Sequence, residues 1–230
     1  MKIGIIGAME SEVELLKQRI SQPSVRSISG LDYFEGTLEG VPVVVVRSGV
    51  GKVNAAMCMQ TLACAFGITH VINTGVAGAI DPSLEVGDMV VSVDTVQYDF
   101  DVHVFGYEPG EIASLGKRFF EADPMLVRKA TEAIRAAGIP CVEGRVSSGD
   151  QFICNPEAKA ALRETFSASC CEMEGAAIGQ VAWINKIPFV VVRSISDKAD
   201  GSDVIDYPEF ELKSAERSAA LVAEMLKTLR

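Results

Sequence analysis

Between Val53 and Ile80 the chain carries no Asp, Glu, Lys or Arg. A stretch of that length without charge either crosses a membrane or lies in the interior of a large core. Asn54, Gln60, Thr61, Thr69, His70, Asn73 and Thr74 interrupt it, and Gly67 divides a helical half from a strand half. A buried helix running into a buried strand satisfies both features, whereas a lipid-facing span satisfies neither. The core needed to hide such a pair is available, because 48% of the 230 residues are hydrophobic.

The rest of the chain alternates in the same way. Lys2 to Gly7 reads as a buried strand, and Ser11 opens an acidic helix. Leu31 to Glu39 and Val41 to Arg47 form a hairpin pattern turning at Glu39-Gly40, with an unbroken valine run in the second arm. A helix runs to Phe66, a strand covers His70 to Thr74, and a longer, curved or exposed strand covers Met89 to Gln97. Asp123 caps a helix over Pro124 to Ala137, with Pro at its first position and Gly138 after its end. Cys141 to Ser148 is a strand, Pro156 to Thr165 a helix, Phe189 to Arg193 a buried strand, and Glu209 to Leu229 an amphipathic helix. Tyr98 to Lys117 has no period, and its Val102, Phe105 and Tyr107 suit either a lid or subunit interface or a loop folded onto its own core. No repeat or linker divides the chain, so the expectation is one α/β domain over residues 1–230, a three-layer α/β/α arrangement around a mixed, twisted sheet.

Chemistry concentrates at the ends of these strands, where open α/β sheets bind ligands. Cys170-Cys171-Glu172-Met173-Glu174-Gly175 leads from a strand into an apolar helix, placing two carboxylates among small and apolar residues. Such carboxylates are costly unless something satisfies them, and one that takes both protons of a diol suits a ribose. An acidic first turn favouring the helix dipole is the plainer explanation, and it applies equally to Glu10, Glu12 and Glu14, which the pattern does not separate. Gly75, Phe152 and the Arg193/Asp197 pair also fall at expected strand ends.

Several classes are disfavoured. Asp and Glu number 31 against 21 Lys and Arg, for a net charge of −10, so nucleic acid and anionic membranes are poor partners. Gly4-Ile5-Ile6-Gly7 lacks the spacing of a dinucleotide fingerprint, and Ser48-Gly49-Val50-Gly51-Lys52 lacks the first glycine and the Ser/Thr of a phosphate loop. With only His70 and His103, and no Cys-x-x-Cys, no metal spacing exists; the expectation is no metal and no cofactor. The six cysteines read as free, mostly buried thiols of a cytoplasmic protein, Cys170 and Cys171 being candidates for redox sensitivity. The first residues show no secretory h-region before Glu10.

Met1 to Glu12, Ser48 to Ala56, Asn73-Thr74-Gly75-Val76-Ala77-Gly78, Glu172-Met173-Glu174 and Arg193-Ser194-Ile195-Ser196-Asp197 together resemble the 5′-methylthioadenosine/S-adenosylhomocysteine nucleosidase family, in matching order along nearly the whole chain. The resemblance implies a nucleoside phosphorylase-like fold, a homodimer, and hydrolysis of the adenine N-glycosidic bond. By it, Glu12 activates water, Arg193 helps place that water, Asp197 protonates purine N7, and Ser196 orients Asp197. Glu174, with Glu172 beside it, holds the ribose hydroxyls. Met173 packs near sugar and base, Phe152 stacks on adenine, and Ile153 meets its edge through the backbone. Met9, Val50 and Tyr207 line the apolar 5′ pocket, with Val102, Phe105 and Tyr107 from the other subunit, while Val76 and Gly78 belong to the glycine-rich wall. Two positions depart from the family pattern: Val76 where Ser is frequent, and Ala79 where Gly is. The implied chemistry is coherent, because a purine anion leaves poorly unless N7 is protonated. An acid at that position needs burial to raise its pKa.

Three rivals remain. A phosphorylase on the same fold would need an anion pocket, for which Arg47 and Lys52 are candidates, but a carboxylate in the attacking position repels phosphate. A different adenine nucleoside such as aminodeoxyfutalosine is compatible with the apolar pocket. A non-catalytic nucleoside sensor would not need both an acid and a base.

Overall fold

The computed structural model describes residues 1–199, the backbone of 207–211, and residues 212–229. Its frame is a mixed sheet. β1 (Ile3–Gly7) lies between β4 (Val41–Arg47) and β5 (His70–Ala79), parallel to both. The interior of β4, Val43 to Val46, is wholly buried, as valine runs are when helices cover both faces of a sheet. β3 (Leu31–Leu38) pairs antiparallel with β4 across the expected Glu39-Gly40 turn, and β2 (Ser21–Ile28) pairs with β3.

On the other side of β5 the sheet closes on itself. β5 pairs with β10 (Phe189–Asp197), β10 with β6 (Met89–Gln97), β6 with β8 (Cys141–Ser148), β8 with β9 (Ala168–Glu172), and β9 returns to β5. A two-residue strand, β7 (Phe120–Glu121), adds to β6. The α/β class with a mixed, twisted sheet is as expected; the five-strand ring at one end is a tertiary addition.

Two strands run further than their patterns suggest. β5 continues through Gly75 to Ala79, and β10 through Ser194 to Asp197, where loops were expected. They pair in parallel over these residues, Arg193 with Gly75 and Ile195 with Ala77, so ladder hydrogen bonds outweigh the weak strand propensity of glycine and serine. A register shift between Ile195 and Asp197 leaves Ser196 as an extra residue, a bulge that re-aims Asp197. β2, which shows no strand signal, is exposed almost throughout and contains Pro23, as an edge position permits. β6 is mostly buried, with a register shift beside the exposed Val93.

Helix boundaries follow their capping chemistry. α3 (Pro124–Ala136) starts at Asp123, whose carboxylate accepts the Leu126 N–H at 3.0 Å. Asn155 does the same for α4 (Pro156–Phe166). α1 (Glu10–Gln18) and α3 pack against α6 (Tyr207–Lys227), and α2 (Lys52–Phe66) packs against α5 (Gly175–Ile184), giving helical layers over the sheet. The uncharged Val53–Ile80 stretch is thus α2 and β5, and no helix among the described residues is long and apolar enough to cross a membrane. All six cysteines are free, but only Cys58, Cys170 and Cys171 are buried; Cys64 and Cys154 are exposed. Burial pushes the Cys170 and Cys171 thiols well up, which opposes the thiolate that redox sensitivity requires.

Candidate active site

The carboxyl end of β1 delivers Glu12, in the first turn of α1. Its Oε2 accepts the N–H groups of Ala8 (2.6 Å) and Met9 (3.0 Å), which α1 leaves unpaired at its start. Oε1 accepts the Val76 N–H of β5 at 3.1 Å. This decides among the three glutamates, since Glu10 and Glu14 are exposed while Glu12 is 3% exposed. Its carboxylate lies directly over Gly75, where a Cβ would collide with Oε1 and approach Arg193 Nη1 to 3.1 Å. Only glycine lets carboxylate and guanidinium share that space. Burial raises the Glu12 pKa, opposed by the Arg193 charge and the three N–H donors.

Glu172 and Glu174, two residues apart, have different fates. Glu172, the last residue of β9, is saturated: it accepts from the Ser148 hydroxyl, the Glu174 and Gly175 N–H groups, and Arg193 Nη2. Glu174, at the start of α5, takes the Gly51 N–H on Oε1 at 2.8 Å, while Oε2 stands 3.9 Å from Arg193 Nη2. Its pKa is pushed up to about 8, by burial first and then by the Glu172 charge, with Arg193 and Gly51 opposing. Arg193 is 2% exposed; burial alone would weaken its charge, but Glu172, Glu12 and Glu174 together outweigh that and hold it cationic. Desolvating such a cluster costs several kcal/mol per ion, so it is poorly explained by stability alone.

Asp197 ends β10 with 7% exposure. It accepts the Ser196 hydroxyl at 2.9 Å and the Ala199 N–H at 2.8 Å. Its Oδ1 lies over Gly78, 2.8 Å from where a Cβ would sit. Glu12 over Gly75 and Asp197 over Gly78 are therefore separated by three residues of β5, roughly 10 Å along the strand.

Between them is a cavity of about 200 Å³. Of the residues singled out from the sequence, Met9, Glu12, Val50, Val76 and Gly78 line it from the β1–α1 junction, α1, β5 and the turn before α2. Phe152, Glu172, Met173, Glu174, Ser196 and Asp197 close the other side. Ile153 lines a smaller adjoining recess with Gln151 and Phe152. Arg193 lies beneath the cavity wall. Val102, Phe105 and Tyr107 do not line the cavity; Phe105 is 77% exposed, beside a one-turn 3-10 helix at His103–Phe105. The Tyr207 side chain lies outside the described residues. Sequence reasoning gave no role to Asn73, Ser148 or the Gly51 N–H, and to Cys171 only a redox one. The one available signal was an Asn inside a valine and isoleucine strand. A larger groove of about 490 Å³ beside α3 has its charges paired with each other, Arg128 with Glu132 and Arg135 with Glu143, and lacks a comparable convergence of buried groups.

This arrangement can bind a small, largely apolar molecule with a diol, remove a proton on one side and supply one on the other. Comparison with known proteins agrees. The phosphorylase superfamily model matches residues 2–227. The 5′-methylthioadenosine/S-adenosylhomocysteine nucleosidase of Shewanella frigidimarina is 43% identical over 231 residues, covering all of both chains. The solved nucleosidase of the same name from Colwellia psychrerythraea, in complex with adenine, superposes with a TM-score of 0.95 at 40% identity, covering 100% of this chain and 96% of that one. The futalosine hydrolase of Helicobacter pylori superposes at 0.94 with 33% identity, covering 99% and 98%. With near-complete coverage in both sequence and structure, the chain belongs to the phosphorylase superfamily and, within it, to the 5′-methylthioadenosine/S-adenosylhomocysteine nucleosidases.

Proposed function

We propose that the protein hydrolyses the adenine N-glycosidic bond of 5′-methylthioadenosine and S-adenosylhomocysteine, with 5′-deoxyadenosine as a further substrate, releasing adenine and the 5-substituted ribose for methionine salvage. The observation that carries this reading is the placement of two buried carboxylates on one cavity, Glu12 over Gly75 and Asp197 over Gly78 of the same strand. Glu12 takes the proton of the attacking water, helped by the raised pKa that burial imposes. Asp197, oriented by Ser196, supplies the proton to purine N7. Glu174 keeps Oε2 for the sugar hydroxyls. Glu172 is occupied entirely by protein donors, so in this reading it acts beneath the site instead of on the ribose.

Phe152, half exposed at the cavity mouth, stacks on adenine, and Ile153 meets the purine edge. Met9 and Val50 receive the 5′ substituent. The exposed Val104, Phe105 and Tyr107, and Val53 and Met57 on α2, suit burial in a homodimer in which Val102, Phe105 and Tyr107 complete the partner's pocket. Free thiols suit a reducing cytoplasm, and the whole chain acts as one domain. No cofactor enters this chemistry.

The test is adenine release from 5′-methylthioadenosine by purified protein with and without phosphate. Phosphate-independent release is expected; strict phosphate dependence would make the enzyme a phosphorylase and remove Glu12 from its role. The futalosine hydrolase likeness, with a cavity open at Val50 and Phe152, makes aminodeoxyfutalosine the second substrate to assay.

A further inference from the structure

The Arg193 guanidinium is held by one nitrogen. Nη2 donates to Asn73 Oδ1 at 2.6 Å and to Glu172 Oε2. Nη1 makes only a 3.4 Å bond to the Val192 carbonyl, and Nε has no partner among the described residues. Nη1 is also the atom that shares the space over Gly75 with the Glu12 carboxylate. The group nearest the base is thus aimed by two acceptors on the far nitrogen.

Each acceptor is itself anchored. Asn73, 1% exposed, donates its Nδ2 to the Ile6 carbonyl of β1 at 2.9 Å, tying Arg193 to the strand that delivers Glu12. Glu172 is gripped by the fully buried Ser148 hydroxyl, which also accepts the Ala176 N–H of α5 at 2.7 Å. That hydroxyl fixes Glu172 and the start of the helix bearing Glu174 in one contact. We propose that Asn73 and Ser148 are positioning residues for the hydrolysis, acting from β5 and β8 through the Arg193–Glu172 pair to set the geometry of Glu12. Neither needs to touch substrate. The inference rests on the proposed nucleosidase reading of this site.

The consequence reaches the pH profile. Glu12 faces Arg193 from β10, Glu172 and Glu174 from the β9–α5 junction, Asp197 across the cavity, and the N–H groups of Ala8, Met9 and Val76. On its own helix Glu10 is paired with Lys17. Arg193 is the cation in that set and holds the Glu12 pKa down against burial. A guanidinium released from either anchor leaves Glu12 easier to protonate. Since the protonated form cannot accept a proton from water, the acid limb of the rate profile then moves to higher pH.

The experiment compares wild type with Asn73→Ser, Ser148→Ala and Ser148→Thr, using adenine release from 5′-methylthioadenosine across pH, adenine affinity by calorimetry, and melting temperature. Expected for Asn73→Ser and Ser148→Ala is a fall in kcat of about ten- to a hundredfold, with the acid limb shifted upward and adenine affinity within about threefold of wild type, since misplacing a reacting group costs rate before binding. Ser148→Thr, which keeps the hydroxyl, is expected to recover most of the rate. Adding Ser148→Ala to Glu172→Gln should cost little beyond Glu172→Gln alone, because both cut the same connection. Lowered melting temperatures with kcat and acid limb unchanged, or independent losses in the double variant, would overturn the proposal while leaving the nucleosidase reading intact. Wild-type protein that releases no adenine would overturn both.

Discussion

The two ends of the sheet follow opposite rules. At the open end, β2 is exposed nearly throughout, pairs only with β3, and carries Ser, Gln, Pro and Arg. At the closed end, every residue of β9 and β10 is buried, including Glu172, Arg193, Ser194, Ser196 and Asp197. Polar residues at the open end are exposed, so water can satisfy what the protein does not. At the closed end each must find a protein partner or remain costly, so the ring becomes a dense network, with the Thr95 and Ser194 hydroxyls and Arg193 Nε left without a partner among the described residues. Closing the sheet is what creates a place where carboxylates can be held away from water with their pKa values raised.

The largest test of that contrast is Glu12→Gln. Loss of a general base is expected to lower adenine release by about 10²–10⁴-fold while leaving adenine binding, measured by calorimetry, nearly intact. Asp197→Asn should fall in the same range, and wild-type rates from either variant would end the proposed mechanism. A second effect is the position of the acid limb. Because burial raises the Glu12 pKa, kcat/KM for wild type should decline on acidification at a pH above the ordinary carboxylate value of 4.5, and a limb at or below that value would mean that Glu12 is not the base.

A smaller effect concerns stability. The Glu174 pKa of about 8 in the fold lies above its ordinary 4.5, so the native state holds an extra proton between those values and stability falls as pH rises through that window. Glu174→Gln should flatten that fall, gaining on the order of a few kcal/mol relative to wild type between pH 5 and pH 8.5 in urea unfolding, while weakening sugar binding. Glu12 adds a fall of the same sign, so part of the slope should survive. At the other end of the scale, Val25→Thr on β2 is expected to change stability by no more than about 0.5 kcal/mol and kcat not at all; a tenfold loss of activity there would break the division between the two ends.

Much of this was legible along the chain. The Val43 to Val46 run, the Asp123-Pro124 and Asn155-Pro156 helix starts, and the helix-then-strand division at Gly67 each rest on short-range physics, so local pattern finds them. β2 escaped because an exposed edge strand has no apolar alternation to show. The extension of β5 through Gly75 and of β10 through Asp197 escaped because their strand character comes from pairing with each other, more than a hundred residues apart.

By itself, the sequence determined that this is an α/β chain with carboxylates set among apolar residues near strand ends, and that Glu-Met-Glu demands partners. It did not determine which partners. Local pattern did not separate Glu12 from Glu10 and Glu14, whereas tertiary structure does, because Glu12 reaches the Val76 N–H. Tertiary structure alone turned Glu172 inward to Arg193 and Ser148 while leaving Glu174 one oxygen toward the cavity. The physical reason is that hydrophobic periodicity is read over a few residues, whereas the satisfaction of a buried charge depends on donors that the closed sheet brings from distant strands.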